Sequence, residues 1–122
     1  MSVQELARKL VQMCNDGRAE EAARELYADG IVSIEAQDFA GMPARMEGIK
    51  AVAEKGEWWS QNHDVHSFVA TGPFVGHRDD QFAVKFDMDI TPIGGERTRM
   101  SEVAIYTVRD GKIVQEEFLY QA

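Results

Sequence analysis

Six residues on stretches that read as strands carry side chains able to move a proton or hold a polar ligand: Glu35, His66, Glu102, Tyr106, Glu116 and Tyr120. Burial or a neighbouring charge brings carboxylates and imidazoles into the range where they exchange protons near neutral pH, and a phenol can donate to a substrate oxygen. An unpaired buried carboxylate is costly, so acidic groups facing inward must be paired, protonated or in touch with a water-filled cavity. Gathered on one wall of a mostly apolar cavity, these groups would make a ligand site. Metal chemistry has less behind it. His63 and His66 are three apart, which on a strand puts them on opposite faces, so no metal site is expected. Asp87 and Asp89 share a face with Lys85 and lack the spacing of a calcium loop.

The elements that must position these groups are legible from periodicity. Phe82, Val84, Phe86, Met88 and Ile90 recur at every second position, the alternation of a half-buried strand. Residues 92–95 break it, and a second sheet-like run covers 100–108. Asp110-Gly111 then predicts a tight hairpin into a third run over 113–120. Upstream, Ser2 caps a helix whose inward stripe is Val3, Leu6, Leu10, Met13 and Cys14. On that stripe, Cys14 reads as a small core residue. A second helix is expected over 18–27 and a short strand over 31–35. Residues 36–47 read as a loop carrying Phe39, Met42 and Met46, suited to form a lid over a pocket or a plain surface connection. A third helix over 49–61 bears Val52, Trp58 and Trp59, and adjacent positions diverge by ~100°, so one indole should face the core or pocket and the other the rim. The next strand, from 62, is expected to place His66, Phe68 and Ala70 together on one face.

The chain has 122 residues, which predicts a single domain over 1–122 with room for a core. A net charge of −8 argues against nucleic acid and anionic membrane surfaces as partners. No apolar run approaches the ~20 residues a bilayer span needs. With no secretory signal pattern and a lone cysteine, a cytoplasmic location is expected.

Helix, helix, strand, helix and then long strands is an α+β order. Together with Leu26-Tyr27-Ala28-Asp29, Glu47-Gly48, Thr71-Gly72-Pro73 and residues 108–113, it resembles the nuclear transport factor 2-like superfamily, in its bacterial SnoaL-like branch. The resemblance spans essentially the whole chain. It implies a strongly curved antiparallel sheet wrapped round three N-terminal helices as a cone, with a pocket between them, and a dimer through the outer sheet face. Members include ketosteroid isomerase, polyketide cyclases and dehydratases, along with non-catalytic modules. Matched to ketosteroid isomerase, Glu35 takes the general-base position, while Ala104 and Leu10 replace the two oxyanion-hole groups. The same register turns His66, Phe68, Phe86, Met88, Glu102, Tyr106, Glu116, Phe118 and Tyr120 inward, and Val103, Ile105, Ile113 and Leu119 outward.

Two functions follow as expectations. The first is binding of a small, largely apolar carbonyl compound, with cofactor-free acid–base chemistry of isomerase, dehydratase or cyclase type. In it, Glu35 would abstract the proton, His66 act as acid or orienting partner, Glu102 polarise or relay, and Tyr106 donate to a substrate oxygen. Phe39, Trp58, Trp59, Phe86, Met88, Glu116, Phe118 and Tyr120 would complete the binding surface. The second is a non-catalytic interaction module, in which Trp58, Phe39 or Met42 would plug the cavity.

Overall fold

A computed structural model of the chain describes residues 1–121. Three helices, α1 (Val3–Asn15), α2 (Ala19–Leu26) and α3 (Ile49–Asn62), accompany six strands: β1 (Tyr27–Ile34), β2 (Arg45–Glu47), β3 (His63–Phe74), β4 (Gln81–Pro92), β5 (Thr98–Arg109) and β6 (Lys112–Leu119). The strands form one sheet in the order β2-β1-β6-β5-β4-β3. Every neighbouring pair is antiparallel except β1 with β6, which run parallel, so the sheet is mixed rather than wholly antiparallel.

Local chemistry explains the element boundaries. The Ser2 hydroxyl accepts from the Glu5 amide at 3.1 Å and donates to the Glu5 carboxylate at 3.2 Å, a side-chain cap that starts α1. Asp110 and Gly111 both take positive φ, 52° and 76°, as the expected hairpin turn requires. Tyr27, expected at the end of a helix, instead opens β1.

The core lies between the helices and the inner sheet face. Leu6, Leu10 and Met13 of α1 and Leu26 of α2 meet Phe82, Val84, Phe86 and Met88 of β4 and Ala104 and Tyr106 of β5. The cavity-facing side of α3 is different: its two buried residues are Val52 and Lys55.

β3 is a sheet edge, and an exposed edge invites pairing with other chains. Asn15, the last residue of α1, occupies it like a fragment of strand. Its side-chain Nδ2 donates to the Ala70 carbonyl at 3.0 Å and its Oδ1 accepts from the Ala70 backbone amide at 2.7 Å.

Two strand irregularities correct the expected faces. Between Val65 and Ser67, β3 advances two residues while β4 advances one, so His66 is the extra residue. Phe68 and Ala70 stay inward, but His66 turns out. It is exposed, and its Nε2 lies 2.7 Å from the Thr91 hydroxyl on the outer face. Between Val108 and Thr107, β6 likewise spends two residues, from Ile113 to Gln115, on one step of β5. That bulge returns Ile113 to the inner face, where it is fully buried, while Glu116 also points inward. A strand's alternation has period 2, so each inserted residue reverses the faces beyond it.

Candidate functional site

A cavity of about 740 Å³ opens between the helices and the sheet. This volume is typical of small-molecule sites. Glu35, Phe39, Trp58, Trp59, Phe86, Met88, Glu102, Tyr106, Glu116, Phe118 and Tyr120 all line it. His66 does not. The histidine in its wall is His63, the residue that ends α3 and begins β3.

The polar end is organised by a residue sequence reasoning missed. Lys55 projects from α3, with its side chain only 9% exposed, and its Nζ donates to Glu35 Oε1 at 3.0 Å. It also donates to the Ser33 hydroxyl and stands 5.2 Å over the Phe118 ring. Ser33 passes its own hydrogen to Glu116 Oε2 at 2.6 Å, and the Tyr27 hydroxyl donates to Glu116 Oε1. Tyr120 donates to Glu35 Oε2 at 3.1 Å. Both oxygens of Glu35 and of Glu116 are thus taken. The sequence did carry a signal for Lys55: it falls three residues after Val52 and four before Trp59, on the stripe that faces inward.

Glu102 differs from its neighbours. It faces the same cavity from β5, half-buried, and among the described residues no side chain or backbone group hydrogen-bonds its carboxyl. Burial pushes the Glu102 carboxyl up to about 7; the charges of Glu35 and Glu116 reinforce the rise and Lys55 opposes it. The Glu116 carboxyl is also raised, by burial first, with Lys55, Ser33 and Tyr27 holding it back. Burial and the charge of Glu35 push the Tyr120 phenol up to about 12. Tyr27 and Tyr106 are raised well above the ordinary phenol range, by burial and then by the charge of Glu116, and remain hydrogen donors. Burial pushes the Cys14 thiol up to about 12, which leaves it a core residue without thiolate character.

The other end of the cavity is aromatic. His63 stacks on Trp59 with ring centroids 4.5 Å apart and meets the edge of Trp58 at 6.0 Å. Its Nδ1 sits 2.8 Å from the Trp59 carbonyl, which only accepts, so Nδ1 carries a hydrogen. Phe39 packs on Trp58 at 5.5 Å, held by a two-residue bridge in which Phe39 and Met42 exchange backbone hydrogen bonds. Both indoles line the cavity, although they leave the helix in different directions.

Among the described residues, no group of three or more His, Cys, Asp or Glu side chains is placed to hold a metal ion. No helix among them is long and apolar enough to cross a membrane.

Three helices lying in the hollow of a curved sheet, with a cavity between, define the nuclear transport factor 2-like class. Within it, the chain belongs to the SnoaL-like domain family, whose model matches residues 1–120. It is 40% identical to a Mesorhizobium loti protein of known structure, provisionally named a SnoaL-like polyketide cyclase (carbohydrate phosphatase), with a TM-score of 0.90 over 98% of this chain and 100% of that one. A provisionally named isomerase from Bacillus subtilis is 24% identical, with a TM-score of 0.70 over 94% of this chain and 83% of that one. A Mycobacterium tuberculosis protein solved in complex with estradiol-17β-hemisuccinate shares the fold at 17% identity, with a TM-score of 0.75 over 99% of this chain and 95% of that one. No curated protein matches the chain.

Proposed function

We propose that the cavity binds a small, largely apolar organic molecule and that Glu102 exchanges a proton with it, in cofactor-free chemistry of the isomerase or lyase type. One observation carries this reading: of the five glutamates that line the cavity, Glu102 alone has a carboxyl unengaged by any described residue. A group with its proton affinity near neutral pH, and its oxygens open to the cavity, is suited to take a proton from one ligand atom and return it to another. Glu35, gripped by Lys55 and Tyr120, serves in this reading as a fixed charge that sets the proton affinity of Glu102, rather than as the abstracting base.

The binding reading is favoured over the non-catalytic module by the open volume. A plugged module would fill it with Phe39, Trp58 or Met42. Here Phe39 and Trp58 form part of a wall around about 740 Å³ of space. A thermal-shift screen of small ring compounds, with estradiol-17β-hemisuccinate among them, tests the reading. Ligands should raise the melting temperature of the wild type, and the response of Glu102→Gln should lose its dependence on pH. A screen in which no compound moves either protein would end the proposal.

A further inference from the structure

We infer that the molecule held in this cavity carries a cationic nitrogen, as a protonated or quaternary amine on an apolar body. The inference rests on the proposal that the cavity binds a small molecule, and it names the polar end of that molecule.

Charge balance is the first ground. At the polar end, Glu35, Glu102 and Glu116 converge with one ammonium, that of Lys55. Lys55 is committed: it pairs with Glu35 at 3.0 Å and lies 4.0 Å from Glu116. Glu102 lacks a partner of either kind. Of the remaining charged groups in the lining, Glu20 and Glu57 are acidic and Arg24 is basic, which leaves the wall negative overall. A second anion entering this space meets repulsion, and a cation supplies what Glu102 lacks.

The aromatic end is the second, independent ground. The cavity wall presents Phe39, Trp58 and Trp59, and aromatic faces attract cations through their quadrupoles. The protein already uses this contact internally, where Lys55 rests over Phe118. A ligand amine could therefore travel past electron-rich rings to a carboxylate that awaits a counter-charge.

Protonation supports the same sign. Glu102 keeps its proton up to about 7 because burial and Glu35 disfavour its charge. The charged groups facing it are Glu35, just past the end of β1, Lys55 from α3 and Glu116 from β6, with the phenols of Tyr106 and Tyr120 alongside, and Lys55 alone opposes the rise. A bound cation joins Lys55, so binding should expel the Glu102 proton and strengthen as pH rises through that value. The ionised carboxylate left beside the ligand would then be ready to accept a proton.

The two tryptophans of the chain both line the cavity, so intrinsic fluorescence reports occupancy directly. Three probes of equal body and different end are titrated: 4-phenylbutylamine, 4-phenylbutan-1-ol and 4-phenylbutyrate. The amine should bind at least about tenfold more tightly than the alcohol, and the carboxylate least. Amine affinity should rise between about pH 6 and pH 8, where the alkylammonium stays charged throughout. Glu102→Gln, an isosteric change, should remove the amine's advantage over the alcohol. Equal or tighter binding of the alcohol or the carboxylate would overturn the cationic ligand while leaving small-molecule binding intact. No fluorescence response to any of the three would overturn both.

Discussion

Lys55 sets the character of the site because it is a buried cation at a point where the chain otherwise concentrates acid. Its pairing with Glu35 and its hydrogen bond to Ser33 leave few ways to replace it. Removing one member of a buried pair leaves the other charge uncompensated, so Lys55→Met should cost on the order of 3–5 kcal/mol in denaturant unfolding. Adding Glu35→Gln to that variant should recover part of the loss, since the orphaned carboxylate is then gone. Glu102 makes a prediction with a definite sign. Its ordinary value is 4.5, and in the folded chain it rises to about 7. Between those values the native state holds a proton that the unfolded chain has released. The stability penalty is therefore absent below the lower value, grows through the interval and is complete above the upper one, at roughly 3 kcal/mol. Glu116, also raised, acts in the same direction. Unfolding free energy measured from about pH 5 to about pH 8 should fall less in Glu102→Gln than in the wild type by about that amount.

At the level of elements, two bulges and one side-chain clamp decide what the strands present. The bulge at His66 removes an imidazole from the cavity, and the α3–β3 junction supplies His63 in its place. The bulge in β6 lets Ile113 seal the core while Glu116 still reaches the cavity. Asn15 guards the free edge of β3 with two hydrogen bonds to Ala70. Asn15→Ala should cost about 1–2 kcal/mol, because two partly buried hydrogen bonds are lost. The specific signature is faster hydrogen exchange at the Ala70 amide, with the amides of β5 unchanged. Uniform exchange across the sheet would show that Asn15 does not protect the edge locally.

For the whole molecule, the concave face is covered by helices and the convex face is not. Strand register places Thr71, Lys85, Val103 and Leu119 in one outward row and Phe74, Ala83, Ile105 and Glu117 in the next. Phe74 is 54% exposed and Leu119 50%, an apolar surface of the kind that a symmetric partner buries. With Ile113 withdrawn into the core, the proposed dimer face comprises Val103, Ile105 and Leu119, with Phe74 alongside. Sedimentation should give the mass of two chains, and Ile105→Glu should give one chain with an unchanged circular dichroism spectrum. A wild type that sediments as one chain at all concentrations would exclude this interface.

Local regularities in the sequence determined most of the architecture. The stripe of α1, the alternation of β4 and the Asp110-Gly111 turn each depend on residues near one another, and each is present as expected. The inward sets of β4, β5 and the end of β6 were legible for the same reason, since period 2 holds wherever no residue is inserted. His66 and Ile113 escaped because a bulge is a property of two strands paired, and neither strand announces it alone. The parallel pairing of β1 with β6 joins segments at opposite ends of the chain, and nothing local encodes it. Lys55 escaped for another reason. A lysine on a helix is ordinarily solvated, and only the convergence of Ser33 from β1, Glu35 just beyond it and Glu116 from β6 makes its burial stable. The residue types able to do chemistry were therefore written in the sequence. Their distribution between a held ion pair and an open carboxyl at Glu102 was decided by tertiary structure, because distance and burial set charge.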